Sequence, residues 1–218
     1  MTRGGGELTA GRNAAGWDTC LDALSAHLAG RAAEASQEQI FERIESYIEL
    51  FGLAEGEVRD QPEGYLVRFG RDLVWWPAEK VWATLTETHD ETGGIETGRI
   101  ETGGLTVGAP PPLRFTNGYV PAGSITAVEP PLMLEYDWQH AGAPAGRVRW
   151  EITADPKLGT RLVLTQTLPS RLADLRATAL AAWQTHLELF FSALNGTTRC
   201  WPAERTEELR KRYADRLG

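Results

Sequence analysis

His186 is the titratable side chain best placed to do chemistry in this sequence. It stands three residues after Trp183, beside the apolar positions of an alanine- and leucine-rich segment. An imidazole titrates near neutrality, so inside an apolar cavity it would serve as a polar anchor or a general base. The alternative is a helix-flank histidine bonded to a backbone group or a tyrosine hydroxyl. Tyr136, Trp138 and Trp150 alternate with charged residues, which places them on one face of their strands together with Leu164. That face either lines an aromatic pocket opposite Trp183 and Phe190 or fills a solid core; small-molecule sites are mostly apolar with a few polar groups. Glu135, Asp137, Arg147, Arg149 and Glu151 alternate outward and read as cross-strand surface pairs. The sequence has no nucleophile elbow, metal-ligand spacing or phosphate-cradling glycine motif. The GTTR run at 196–199 and the ETGG-type units of 91–105 lack the strand–loop–helix context that phosphate binding needs. The candidate ligand-binding set is therefore Tyr136, Trp138, Trp150, Leu164, Trp183, His186 and Phe190, with no catalytic residue, metal or cofactor assigned.

Composition narrows the partners. Hydrophobic residues make up 42% of 218, with eight tryptophans, enough for a sizeable apolar interior. A net charge of −8 argues against nucleic acid or an anionic membrane surface, either of which wants a basic patch. No run approaches the roughly 18 apolar residues of a membrane span, and the first residues lack the apolar stretch of a secretory signal. Cys20 and Cys200 stand in unrelated contexts, suggesting neither a metal site nor a disulfide. The expectation is a soluble, cytoplasmic protein with free thiols.

The elements that must position the candidate residues follow from periodicity. Trp17, Leu21, Leu24 and Leu28 recur at helical spacing over 14–29, with Gly30 as the stop. A second helix over 36–51 opens with Ser36 and Gln39 in capping-box spacing and ends at Gly52. A strand is expected over 64–75 and a short helix over 77–86, where Pro77 suits the first turn. Of Trp75 and Trp76, alternation buries only one on the sheet face; the other is either a rim residue at a pocket mouth or, the favoured reading, a packing contact for the N-terminal helices. Residues 91–105 repeat a five-residue glycine-rich unit and read either as a loop, which the glycine content favours, or as a pair of irregular strands with Ile95, Ile100 and Leu105 facing inward. Strands are expected over 113–117, 123–128, 132–139, 147–154 and 161–168, with Leu132, Leu134, Tyr136 and Trp138 facing the dry side. A long helix over 170–195 carries the stripe Leu172, Leu175, Ala179, Trp183, Leu187, Phe190 and Leu194, and a charged helix over 202–217 follows. This order defines an α+β fold in which the long helix covers the dry face of an antiparallel sheet.

Residues 17–52 also align without a gap onto 183–218. Nine of the 36 positions are identical: Trp17, Thr19, Leu21, Leu28, Gly30, Glu38, Glu42, Tyr47 and Gly52 match residues 166 positions later. Such self-similarity implies a partial repeat, so the expected organisation is a helical extension over 1–52 and a domain over 53–218. In the extension the stripe of Trp17, Leu21, Leu24 and Leu28 has no sheet of its own to cover. It is expected to pack on the body of 53–218 or on a second chain, giving a homodimer through 14–52.

The segments VWWPAEKVWATLTE (74–87), GSITAVEPPLMLEYDW (123–138), VRWEIT (148–153), GTRLVLTQTL (159–168) and AAWQTHLELFFSALNG (181–196) together resemble the SRPBCC superfamily. Within it they are similar to the branch of homologues of the activator of the heat-shock-protein-90 ATPase. The resemblance implies a START-like helix-grip fold, with a curved antiparallel sheet wrapped on a long C-terminal helix and a cavity between them. It also implies an apolar or aromatic small-molecule partner, held for sequestration or self-resistance. Two alternatives it carries are a polyketide cyclase- or aromatase-like enzyme using His186 or Tyr136, and a chaperone-associated interaction protein. One departure stands out: relatives continue past the first helix into a second short helix with a tryptophan, whereas 89–104 here is rich in Gly, Thr and Glu. A more open cavity is therefore expected.

Overall fold

The computed structural model describes residues 8–32, 35–73, 75–87, 105–156 and 159–218; the ETGG-type units and the departure at 89–104 lie outside the described residues, apart from Leu105. The chain forms two compact units, Met1–Glu55 and Gly56–Gly218.

The first unit is a pair of helices, α1 (Leu8–Leu28) and α2 (Gln37–Leu50). Ser36 caps α2, its side chain accepting from the Gln39 N–H while the Gln39 side chain accepts from the Ser36 N–H. Between the helices the bonds are polar: Arg43 pairs with Asp22 at 2.6 Å, and the Tyr47 hydroxyl bonds Asp18. The buried apolar residues are small or few, Ala15, Ala26, Ile44 and Ala54. Gly30, Gly52 and Gly196 all take positive φ at helix ends, and the residue after each donates to a carbonyl five positions back. That closure needs the left-handed conformation, which glycine adopts without steric cost.

The second unit is built on six antiparallel strands in the order β1-β2-β6-β5-β4-β3. They are β1 (Glu57–Gln61), β2 (Gly64–Leu73), β3 (Ala122–Glu129), β4 (Met133–His140), β5 (Ala143–Asp155) and β6 (Gly159–Pro169). Helix α3 (Ala78–Thr86) follows β2, and α4 (Arg176–Leu194) and α5 (Ala203–Leu217) close the chain. This is the α+β helix-grip arrangement, with α4 laid on the sheet. Two transverse rows of paired residues cross its inner face: Phe69, Leu164, Trp150 and Leu134, then Val67, Gln166, Val148, Tyr136 and Ile125. All but Gln166 are apolar and all nine are buried, so burial drives α4 onto them. Trp183 lies over both rows, its indole N–H donating to Gln166 Oε1 at 2.7 Å and its ring meeting Trp150 edge-on at 5.8 Å.

Several elements differ from expectation. The run at 113–117 is a 3-10 turn, Leu113–Phe115, rather than a strand, because the three prolines before it have no N–H to give a ladder. The long helix begins with a 3-10 segment, Ser170–Leu175, and becomes α-helical only at Arg176. β1, which the pattern reading missed, is mostly exposed and polar (EVRDQ) and so lacks an alternating apolar signal. Leu132 is exposed instead of facing the dry side, since it falls in the turn before β4. Of the two adjacent tryptophans only one is packed, as alternation requires: Trp76 meets Phe191 edge-on at 5.5 Å, while Trp75 stands half exposed.

Helix α5 fastens the other flank of α4. The Tyr213 hydroxyl donates to Gln184 on α4 and accepts the Gly56 N–H at 2.9 Å, while Arg216 donates to the Gly56 carbonyl at 2.7 Å. The bond from Tyr47 to Asp18 joins the positions 166 residues earlier. The matched tryptophans differ: Trp183 is buried, whereas Trp17 is exposed.

Trp183→Phe keeps the ring but leaves the buried Gln166 acceptor unpaired, which is expected to cost about 1–3 kcal/mol. Trp183→Ala is expected to cost about 3–5 kcal/mol. Urea denaturation of both variants checks this; a loss below about 1 kcal/mol for the alanine would remove Trp183 from the core.

Candidate functional site

The sheet and α4 bring the candidate residues together. β4 contributes Tyr136 and Trp138, β5 Trp150, β6 Leu164, and α4 Trp183, His186 and Phe190, all of them buried. Trp150 meets Trp183, His186 and Phe115 with ring centroids 5.8, 5.5 and 5.6 Å apart, each edge-on. These edge-to-face contacts are favourable aromatic geometry, and at such spacing no guest fits between those rings. Trp82 on α3 extends the chain through Phe115 at 5.7 Å.

Most of the polar atoms on these rings are already bonded. Trp138 pairs with Gly146 across the β4–β5 ladder, and its indole N–H reaches over that glycine to the Thr167 carbonyl at 2.8 Å. A Cβ at Gly146 would lie 2.4 Å from that carbonyl and 2.7 Å from the indole nitrogen, so the bond requires glycine there. The Tyr136 hydroxyl donates to the Phe115 carbonyl at 2.7 Å, and burial pushes its pKa far up from the ordinary phenol value.

His186 Nε2 lies 2.9 Å from the Arg114 carbonyl. A carbonyl only accepts, so Nε2 carries the proton. Burial pulls the ring's pKa down to about 4, the hydrogen bond to Arg114 opposing it and the nearby Arg114 charge adding to it. The imidazole is thus neutral at physiological pH and anchored to backbone, the flank-histidine arrangement. The Arg114 guanidinium meets Glu87, just past α3, at 3.3 Å.

Four buried polar atoms have no hydrogen-bond partner among the described residues: Thr84 Oγ1, Asn117 Nδ2, Trp150 Nε1 and Trp201 Nε1. Thr84 is unusual because a helical threonine commonly bonds back to the preceding turn. Thr86 does so, to the Trp82 and Ala83 carbonyls, and Thr84 does not. Asn117 Oδ1 accepts from the Tyr119 and Val120 N–H groups, which fixes the amide with its NH2 left as donor. Trp150 Nε1 is near enough to Tyr136 to oppose the rise in its pKa, without hydrogen-bond geometry. Phe115, Thr84 and Asn117 were not found by sequence reasoning, and Trp82 was legible only as part of the apolar face of the short helix at 77–86. Phe115 and Asn117 sit in the run taken for a strand, and Thr84 had no signal beyond its place in a short helix.

The outward charges pair with one another: Glu135 with Arg147 and Arg149, and Arg149 with Glu151, at 3.0 to 3.5 Å. Among the described residues no cluster of three or more His, Cys, Asp or Glu could hold a metal ion, and no helix is long and apolar enough to cross a membrane.

No family model matches the chain, and no curated protein matches it. Solved structures do. CalU16 from Micromonospora echinospora is 20% identical, with 73% of this chain and 94% of that one covered and a TM-score of 0.46. EF2215 from Enterococcus faecalis, a conserved protein of unknown function, is 14% identical over 74% of this chain and 90% of that one, with a TM-score of 0.49. DynU16, a protein in the dynemicin biosynthetic locus, is 19% identical over 60% of this chain and 47% of that one, with a TM-score of 0.42.

The pKa of His186 makes stability depend on pH. An unfolded histidine titrates near 6.5 and the folded one near 4, so between these values the unfolded chain binds a proton that the folded chain refuses. The contribution is complete above about pH 6.5 and is lost as pH falls toward 4, by up to about 3 kcal/mol. His186→Gln keeps an N–H donor for the Arg114 carbonyl and removes the titration. Denaturation at a series of pH values should therefore show a flatter stability profile for the variant across that window; identical profiles would contradict the assignment.

Proposed function

We propose that this protein binds an apolar, aromatic small molecule bearing at least one acceptor oxygen. In this reading the guest lies against the wall made by α3, the 3-10 turn and β5. Trp82, Phe115 and Trp150 supply its apolar surface, while Trp183, Trp138, Tyr136, Leu164 and Phe190 hold that wall rigid. The observation that carries the reading is the set of unpartnered donors: Thr84 Oγ1 on α3, Trp150 Nε1 on β5, and Asn117 Nδ2 two residues past the 3-10 turn that touches both. A buried polar group left unpaired costs about 1–3 kcal/mol, so three on adjoining elements favour a guest that accepts from them. The resemblance of these segments to the SRPBCC superfamily supports the same reading, and sequestration of such a molecule is the role it fits.

Catalysis by His186 or Tyr136 has less support. Both already donate to backbone carbonyls, and burial shifts each pKa away from neutrality toward its uncharged form, whereas a general base works best with a pKa near the operating pH.

Fluorene and 9-fluorenone differ by one carbonyl and make a matched pair of probes. Both are expected to raise Tm with concentration. The ketone should bind about tenfold more tightly for each hydrogen bond gained. Thr84→Val and Trp150→Phe should narrow that preference. Absence of stabilisation by either probe, together with native mass spectra of freshly purified protein showing no retained small molecule, would overturn the reading.

A further inference from the structure

The outer face of α1 is an apolar seam that α2 leaves uncovered. Trp17, Leu21, Leu24 and Leu28 are 71%, 56%, 53% and 78% exposed. The helix pair itself is formed, with Asp22 on Arg43 and Asp18 on Tyr47 along the inner side. Its buried apolar residues are few and mostly alanines, too little for two helices to stand on their own.

We propose that this seam pairs with the same seam of a second copy of the chain, antiparallel, about a two-fold axis between Asp22 and Ala23. The spacing of the four residues is 4-3-4, the same from either end. An antiparallel copy therefore sets Trp17 against the partner's Leu28 and Leu21 against the partner's Leu24. Self-complementarity of this kind is what a two-fold interface requires, and the spacing is the a/d repeat of a two-helix seam. Parallel pairing would instead stack Trp17 on its own copy. Charge favours a like partner: none of the four is charged, and the carboxylates flanking them are held by α2. A lipid surface is disfavoured because α2 carries four glutamates against one arginine.

Sedimentation velocity and native mass spectrometry of the full chain are expected to give the mass of two chains. Leu21→Glu with Leu24→Glu, at exposed positions of the seam, should give one chain with an unchanged far-UV spectrum. Orientation is read from Cys20, which is exposed, in a Cys200→Ser background. Antiparallel pairing offsets the two Cys20 residues by five helical steps, about 7.5 Å along the axis. With the helix separation added, this exceeds the reach of a disulfide but lies within that of a bismaleimide of about 10 Å. Crosslinking by the bismaleimide without disulfide formation supports the pairing. A single-chain mass for the wild-type protein overturns the proposal, as does a two-chain mass that survives the double substitution. Loss of stability without change of mass would mean that the rest of the same chain covers the seam, and a two-chain species that the bismaleimide does not crosslink at Cys20 would mean a different pairing; either also overturns it.

Discussion

Trp183 donates its indole N–H from α4 to Gln166 on β6, and the arrangement of the second unit's interior depends on that bond. Apolar burial is strong but non-directional; by itself it would press α4 onto the sheet without choosing its rotation or height. A buried glutamine in the middle of the inner face needs a donor, and a single indole on the helix supplies it. With Trp183 set, Trp150 is held edge-on beneath it, Phe115 beside Trp150 and Trp82 beside Phe115. The ring chain thus runs from α4 across β5 to α3, and it carries the position of α4 to the wall where the unpaired donors lie.

Much of this was legible in the residues. The stop glycines, the Ser36–Gln39 cap and the alternation of Tyr136 and Trp138 with charged neighbours are local signals, and local geometry decided each outcome. Features set by distant partners were not legible. Nothing near Gln166 announces an indole 17 positions later, and nothing in Arg114 announces that its carbonyl will hold His186. The prolines before Leu113 did signal an interruption, yet the role of Phe115 as a bridge between Trp82 and Trp150 appears only in three dimensions. Of the candidate residues, sequence patterning placed Trp150 and the rings packed behind it, Trp183, Trp138, Tyr136 and Phe190, on buried faces. It missed the unpaired polar atoms of Thr84 and Asn117, because a threonine or asparagine without a partner looks the same in sequence as one that has found its own.

The two helix pairs show how one sequence pattern serves two environments. Trp17 and Trp183 align, as do Tyr47 and Tyr213, and both tyrosines bond the matched position on the preceding helix. The tryptophans part company: Trp183 faces a sheet and is buried, whereas Trp17 is left on an outer face. A helical stripe records which face is apolar, and the surroundings decide what that face meets.

Gly56 opens the second unit, and its N–H and carbonyl are gripped by Tyr213 and Arg216 of the last helix. Entry and exit of that unit are therefore latched to each other across some 160 residues. A ribosome making this chain from its N-terminus delivers Gly56 long before its latch. Until α5 has been made, the Gly56 N–H and carbonyl lack these partners.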